Sequence, residues 1–464
     1  MIYDLAILGG GPAGTSAAST ASAYGARIVL IEKSRLGGQC LNTGCYPLTK
    51  LCLFSRQLVE MRKSFPNLTP SIKKEEEFLK LTHFVSATLV PTLSEMVRKS
   101  LADEKIDIVY GEAQFFSRNE VSVEGNDGWR TIRFRHAIIC TGSVPNNDRF
   151  SNNNLVDNFG VLLEWEKLPR SVLLIECGFS EVELAFALNE LGIDVTVIKL
   201  ENSILSNEEG DIIDYLILFL QSRGIKFIND SQILDISRDK ESKQVELLDR
   251  FDQHRLFSFD KIITSSRKPN YSNLDLPKIG VKIEDGLIQT NRKMQTSLDN
   301  IYAAGEVTGK SWSANIASEQ GIVASLNCMG EETAMDYELI PKKILTYPEF
   351  AAVGLTTHTA KQSGRPFEIV DIPISSCAKA QIRENVLGLA RFVLDPVEDT
   401  ILGVHIVCPD ASEVLTAMAF AIKSKIKVRD LLHFPFPHPT YCELIHHLAT
   451  EKKRRLTKAI LSTG

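Results

Sequence analysis

The sequence predicts an α/β protein with two Rossmann-like nucleotide-binding units and an α+β carboxy-terminal domain. Three observations carry that prediction. An apolar strand over residues 4–8 enters a glycine turn and an alanine-rich helix reaching about Tyr24, and a strand over 28–31 then ends in Glu32. A second strand–turn–helix–strand unit occupies residues 171–198. Beyond Pro341 the rhythm changes to strands over 389–394 and 401–407 and a helix over about 411–425. Strands alternating with helices indicate α/β layers. A chain of 464 residues is long enough for about three domains. The division expected is a discontinuous first domain, 1–150 with 267–340, a second over 151–266 and a third over 341–464.

Composition excludes several classes. Hydrophobic residues make up 44% and charged residues 24%, as in an ordinary globular chain. A formal net charge of -6 favours neither nucleic acid nor an anionic membrane as partner. No apolar run reaches the roughly 18 residues that span a bilayer. The strand beginning near Tyr3 leaves no room for a signal or transit peptide, so none is expected. Nine scattered cysteines, an odd number, suggest a reducing, cytoplasmic setting with one functional pair rather than a disulfide framework.

The first turn reads Gly9-Gly10-Gly11-Pro12-Ala13-Gly14. Together with its strands, helix and terminal acid it forms a complete dinucleotide fingerprint. Gly9 makes the tight turn, Gly11 lets the backbone approach a pyrophosphate, and Gly14 packs helix against strand. The helix amino terminus holds phosphate through its dipole and free amides. Glu32 is expected to accept from ribose hydroxyls.

Next comes Gly37-Gly38-Gln39-Cys40-Leu41-Asn42-Thr43-Gly44-Cys45-Tyr46-Pro47. Two cysteines five apart are awkward for zinc, whose pairs sit closer and need a second pair. A disulfide closes so short a loop only where the backbone bends hard, as glycines allow. A strained, partly exposed disulfide is of the catalytic kind. Two thiols that merely lie close together remain the bland alternative.

This stretch resembles the redox-active disulfide of the flavin disulfide reductases, the pyridine nucleotide-disulfide oxidoreductase family of dihydrolipoamide dehydrogenase, glutathione reductase and mercuric reductase. That family writes the motif Gly-Gly-Thr-Cys-x-Asn-x-Gly-Cys. The resemblance covers essentially the whole chain and implies FAD in the first unit. Gly38 joins the cofactor-binding candidates by the same resemblance. Ala137-Ile138-Ile139-Cys140-Thr141-Gly142 resembles the family's Ala-Thr-Gly strand end. Ile301-Tyr302-Ala303-Ala304-Gly305-Glu306 resembles the strand ending in Gly-Asp, whose acid binds the ribityl chain. Here the acid is Glu306, one methylene longer. The family's following helix begins at Ala314.

Between these motifs, helices are expected over about 51–64 and 75–101, with Glu75-Glu76-Glu77 as a solvated helix start, and a small sheet excursion over 119–135. In the family, a lysine soon after the second cysteine pairs with a glutamate near the flavin. The nearest lysine here is Lys50, slipped by one position, which turns a helical side chain by about 100°. Glu183 matches the glutamate.

The second turn departs from the family. It reads Glu176-Cys177-Gly178-Phe179-Ser180-Glu181, keeping only Gly178 of the three glycines. A Cβ at the tight turn clashes if a positive φ is required. A side chain at the third position is expected to wedge helix from strand. Both replacements are anionic where pyrophosphate would lie, and like charges at about 4 Å repel by a few kcal/mol. Lys199 stands where an acid would take a ribose hydroxyl, which disfavours NADPH less than NADH. Ser265-Ser266-Arg267-Lys268-Pro269-Asn270 resembles the family's Gly-Arg-x-Pro-Asn with Ser266 for glycine. The domain fold is expected to persist while NAD(P)H binding weakens.

Thr346-Tyr347-Pro348-Glu349-Phe350-Ala351 resembles the opening of the family's interface domain, and His438-Pro439-Thr440-Tyr441-Cys442-Glu443 its His-Pro-Thr-x-x-Glu motif. By resemblance, Cys45 is the flavin-proximal thiol and Cys40 the exchange thiol. His438 is the acid/base, reaching across a homodimer into the partner subunit's site, and Glu443 orients it. A histidine suits that work because its pKa lies near working pH. Lys452-Lys453-Arg454-Arg455 reads as a solvated face, or as a docking patch for an acidic donor protein. No carboxy-terminal cysteine pair of the mercuric reductase kind is present. The function implied is a thiol-disulfide oxidoreductase working on a small disulfide, a dithiol or a redox protein. The alternatives are the same centre served by a non-nicotinamide donor, and an FAD-binding redox sensor with little turnover.

Overall fold

The computed structural model describes residues 1–67, 72–126, 128–148, 150, 153–176, 178–199, 205–229, 231–240, 242–249, 251–310 and 313–463. Cys177 of the second turn lies outside them. The chain divides into two compact units. One comprises Met1–Lys50, Lys73–Leu168 and Thr264–Met335, and the other Leu51–Ile72, Pro169–Ile263 and Asp336–Gly464.

The first unit is built on a seven-stranded sheet. Ile2–Leu8 lies between Ile28–Glu32 and Gly128–Ile139, all parallel. Asp107–Tyr110 extends one side, and the antiparallel strands Glu120–Gly125 and Glu112–Ser117 extend the other. Ile301–Ala303 adds in parallel to Gly128–Ile139. The excursion expected over 119–135 is therefore part of this sheet, because its last strand continues into the apolar run ending at Ile139. Leu5, Ala6, Ile7, Val29, Leu30, Ala137 and Ile138 are wholly buried, the pattern of strands covered on both faces.

Helix Pro12–Ser22 crosses over the sheet and packs on helix Ala314–Cys328. The approach is backbone-close: a Cβ at Gly321 would lie 2.1 Å from the Ala13 carbonyl oxygen. The expected helix over 75–101 is a run of three pieces, Lys74–Phe84, a π turn at Val85–Leu89 and Val90–Asp103. Val85 and Val90 at that turn form a small core with Leu41, next to Cys40 in sequence.

In the second unit, Ser171–Ile175, Asp194–Ile198 and Lys226–Ile228 are parallel neighbours, with Lys261–Thr264 on the far side of Ser171–Ile175. A three-stranded antiparallel sheet covers Gln232–Asp239, Ser242–Leu248 and His254–Phe259. A five-stranded antiparallel sheet, from Lys342–Ile344 to Thr400–Cys408, packs against helices Ala411–Lys423 and Glu443–Thr463. Its core includes Phe392, Val404, Ile406, Met418, Leu444 and Leu448. The α/β prediction with an α+β carboxy-terminal part is borne out. Among the described residues, no helix is long and apolar enough to cross a membrane.

The basic run departs from a solvated face at Lys452 alone. Lys452 is buried, held by Glu368 at 2.9 Å and Asp399 at 2.8 Å. Arg454 and Arg455 both pair with Glu451. Lys453, Arg454 and Arg455 are exposed, as a solvated face requires, and only Lys452 is drawn inside.

Candidate active site

The first turn is shaped by what it lacks. Gly9 adopts φ 110°, and a Cβ there would sit 2.3 Å from the Cys140 carbonyl oxygen. A Cβ at Gly14 would lie 1.8 Å from the Gly9 oxygen, which fixes the close helix–strand packing read from the sequence. Gly38, with φ 57°, would bring a Cβ to 2.7 Å from the Gly11 Cα. No described side chain caps the helix that begins at Pro12. Its leading amides are thus left for an anion, beside a cradle that any side chain would fill. Glu32 is buried and fixed: Oε2 accepts from the Gly10 amide at 2.8 Å, and Oε1 from the Ser34 amide at 2.8 Å. These residues fit the adenosine and pyrophosphate end of the expected FAD.

The other cofactor candidates gather in the same unit. Asn270 pins Thr141 and Gly142, donating from its side chain to the Thr141 carbonyl at 3.2 Å and from its amide to the Gly142 carbonyl at 3.0 Å. Gly305, φ 85°, donates its amide to Gln320 Oε1 at 2.7 Å. Ala314 opens its helix as expected. Glu306 accepts from the Ser143 hydroxyl and lies 3.7 Å from Arg267 Nε. The motif around Arg267 therefore serves this unit, because Arg267–Pro269 pairs antiparallel with Ser143–Pro145. Ser266 also bonds here: its amide donates to Thr264 Oγ1 at 3.1 Å, and its carbonyl accepts from Asn146 at 2.9 Å. Sequence reasoning missed Ser143 and Asn270. The Pro-Asn pair was the signal, but the motif that contains it was read together with the second turn.

Cys40 sits in the short helix Gly38–Asn42, and Cys45 is the first residue of the 20-residue helix Cys45–Ser64. That helix starts six residues earlier than the pattern suggested, since Pro47 suits a first turn. The loop between is tied by the Gly44 and Thr43 amides, both donating to the Gln39 carbonyl, at 2.8 and 3.0 Å. The Asn42 side chain donates to the carbonyls of Leu36 and Gly38, at 3.2 and 2.7 Å. Both cysteines are thiols in this structure. A hydrogen bond to Cys45, and then burial, push the Cys40 thiol up. A helix amino terminus favours an anion at Cys45.

Lys50 and Glu183 each have partners in their own unit. Lys50 lies over the Phe84 ring, 5.9 Å from its centroid. Glu183 Oε1 accepts from the Leu345 amide at 2.8 Å and lies 3.8 Å from Lys343. Burial raises the Glu183 carboxyl despite Lys343.

In the second unit, His438 Nδ1 and Glu443 Oε1 are 2.8 Å apart, with the imidazole exposed and the carboxylate largely covered. Glu443 Oε2 accepts from the Thr440 amide at 2.9 Å. Burial would raise the Glu443 carboxyl, but the His438 and Thr440 bonds hold it below the usual range. The remaining ring nitrogen, Nε2, is left to exchange a proton elsewhere.

The second turn has a different interior. Glu176 takes φ 78°, the left-handed region expected of glycine. Glu181 does not wedge the helix away. It folds back and accepts from the Gly178 amide at 2.9 Å, an amino-terminal box in which the third helical residue caps its own helix. Glu181 is 2% exposed, and burial pushes its carboxyl up to about 7, assisted by Glu176 and opposed by Lys199. The helix Phe179–Leu191 thus packs normally, while its capping amide is already occupied by a carboxylate. This donor set does not suit a dinucleotide phosphate.

Comparison with known proteins follows this geometry. The family model described as Pyridine nucleotide-disulphide oxidoreductase matches residues 3–321, and the dimerisation domain of that family matches residues 340–449. The chain is 30% identical to dihydrolipoyl dehydrogenase 1, mitochondrial, of Arabidopsis thaliana, over 96% of this chain and 89% of that protein. It is 29% identical to dihydrolipoyl dehydrogenase of Geobacillus stearothermophilus, over 94% and 93%. The crystal structure of LpdA from Mycobacterium tuberculosis shares the fold, with a TM-score of 0.88 at 22% identity over 98% of this chain and 100% of that one.

Proposed function

The chain belongs to the FAD-dependent pyridine nucleotide-disulphide oxidoreductase family and is a flavin-dependent disulfide oxidoreductase; on that premise we propose how its residues divide the work. FAD, when bound, supplies two-electron redox chemistry to the thiol pair. Gly9, Gly11, Gly14, Gly38 and Glu32 hold its adenosine end, and Thr141, Gly142, Gly305, Glu306 and Ala314 its ribityl and flavin end. The domain division is 1–150 with 267–340 for FAD, 151–266 for the nucleotide-like unit and 341–464 for dimerisation.

Cys40 passes its proton to His438 of the partner subunit and, as thiolate, attacks one sulfur of a substrate disulfide, releasing the first product thiolate. Cys45 then attacks Cys40, closing the Cys40–Cys45 disulfide and releasing the second. The substrate gains two electrons and the pair loses two. His438 of the partner subunit supplies protons to the departing thiolates from Nε2, while Glu443 fixes its Nδ1. The observation that carries this reading is the thiol pair itself: Cys40 in a short helix and Cys45 at the head of a long one, joined by a loop tied back to the Gln39 carbonyl. The substrate is a small disulfide or dithiol, or a redox protein, and dihydrolipoamide is the candidate suggested by the relatives' names. The setting is cytoplasmic. A thiol titration tests the pair. Air-oxidised protein gains two thiols on reduction, and neither Cys40→Ser nor Cys45→Ser shows that gain. An unchanged gain in both variants contradicts the assignment.

A second reading concerns the electron donor. The Glu176–Glu181 turn supports weak use of NADH and NADPH, with a non-nicotinamide donor or a protein partner feeding the same centre.

A further inference from the structure

The 3₁₀ turn Phe159–Glu164 lies outside the cofactor candidates and the acid/base pair, yet it abuts the loop between the thiols. Gly160 approaches Thr43, which stands between Cys40 and Cys45. A Cβ on Gly160 would lie 3.5 Å from Thr43 Cβ and 3.6 Å from Thr43 Cγ2. Leu163 packs against the small core of Leu41, Val85 and Val90. Leu41 follows Cys40 directly and is buried. Residues 160 and 163 share one face of a 3₁₀ turn, since side chains three apart eclipse there. The turn is itself braced. Asn158 Oδ1 caps it by accepting from the Gly160 amide at 2.9 Å. Leu162 is buried, and the buried Trp165 ring lies 6.1 Å from that of Phe78. The Asp157 carbonyl accepts from the Thr264 amide at 3.0 Å, and the Leu168 amide donates to Glu75 Oε2 at 3.1 Å. Asn42, Thr43 and Gly44, in contrast, donate to Leu36, Gly38 and Gln39 of their own segment.

We propose that Gly160 and Leu163 are positioning residues for the thiol pair: they hold the Cys40–Cys45 loop at the spacing at which its disulfide closes. A disulfide needs its two Cα atoms within about 4.4–6.8 Å, whereas two thiols accept a wide range of separations. Support of the loop from outside therefore stabilises the disulfide more than the dithiol. Gly160 lets the turn come close to Thr43, and Leu163 steadies Leu41 on the other side of the loop. The proposal rests on Cys40 and Cys45 as the redox pair, and its test separates the two ideas.

The test equilibrates the full-length, FAD-loaded protein, without oxygen, in mixtures of reduced and oxidised dithiothreitol. Closing the protein disulfide passes two electrons and two protons to oxidised dithiothreitol, which opens to its dithiol. Acid quenching, alkylation and mass spectrometry then give the fraction of Cys40–Cys45 disulfide. In Leu163→Ala the equilibrium shifts about tenfold towards the protein dithiol, equivalent to about 30 mV. Leu163→Met returns most of that shift. Gly160→Val presses on Thr43 and moves the equilibrium the same way. Asn158→Ala uncaps the turn and gives a shift of about threefold in that direction. Glu164→Ala, at an exposed position of the same turn, keeps the parent's equilibrium. An equilibrium equal to the parent's in Leu163→Ala, Gly160→Val and Asn158→Ala overturns the proposal, even where their melting temperatures fall, because a purely structural role weakens both redox forms alike. A shift in Glu164→Ala as large as that in Leu163→Ala also overturns it. Should Leu163→Ala fail to fold, Gly160→Val and Asn158→Ala decide by the same measure. A parent whose Cys40 and Cys45 stay thiols across all the mixtures would instead overturn the redox pair, and the proposal with it.

Discussion

At the first glycine turn the left-handed residue is Gly9, φ 110°, and at the second it is Glu176, φ 78°. Three residues into each helix the contrast repeats, with Gly14 at the first and Glu181 at the second. Gly14 has no side chain and leaves the helix uncapped, so the leading amides face a backbone-lined cradle. Glu181 has a side chain of the right length to return to the Gly178 amide and occupy it. Both units keep the strand–helix–strand frame, since either arrangement satisfies the packing. What differs is the anion: the first turn awaits one from a ligand, and the second supplies its own. Persistence of the fold therefore says little about persistence of the site.

The sharpest way to break this comparison is to give the first turn a side chain. Gly14→Ala drives a methyl to 1.8 Å from the Gly9 oxygen, so FAD content, read as flavin absorbance per chain, falls to near zero or the protein fails to accumulate. Stoichiometric flavin in Gly14→Ala would refute the cradle. The reverse change at the second turn sharpens the contrast. Glu176→Gly with Glu181→Gly improves the KM for NADPH by roughly tenfold or more, since each carboxylate costs about that much beside a phosphate. Either single change recovers less, because the remaining carboxylate still faces the ligand.

A smaller effect is expected from pH. Glu181 titrates near 7 in the fold because it is buried, against an ordinary value of 4.5. The folded state therefore binds this proton more tightly than the unfolded chain. Its contribution to stability is lost as pH rises from that ordinary value through about 7. Below the same point the carboxyl is neutral and repels phosphate less. The KM for NADPH thus falls as pH drops from 8 towards 6, on the order of threefold for a group half-protonated near 7. Glu181→Gln flattens that profile. The same slope in Glu181→Gln would assign the dependence to another group. The smallest effect is on stability: Glu176→Gly relieves a side chain held at positive φ, worth about 1 kcal/mol in a urea midpoint.

Much of this contrast was legible in the sequence, because glycine identity at fixed offsets reports backbone geometry directly. The lost glycines at 176 and 181, the thiol pair and the His438–Glu443 pair were readable through the resemblance of their motifs to the family's. The fate of the Glu181 side chain was not. A wedge and a cap begin from the same residue, and only the three-dimensional path of its two methylenes distinguishes them. Arg267 and Asn270 fell in the first domain's 267–340 segment, but their motif was read together with the second turn, since sequence position does not reveal that Arg267–Pro269 pairs with Ser143–Pro145. Lys452 was read as surface because a basic run looks solvated until Glu368 and Asp399 are found around it.

The second nucleotide turn of this flavoenzyme carries its own anion. Anaerobic titration of the purified protein with NADH and with NADPH, following flavin bleaching, tests it most directly. The expected result is a yellow protein with about one FAD per chain, reduced slowly or only at millimolar nucleotide, NADPH acting better than NADH through Lys199. Rapid, complete bleaching by micromolar NADH would contradict it.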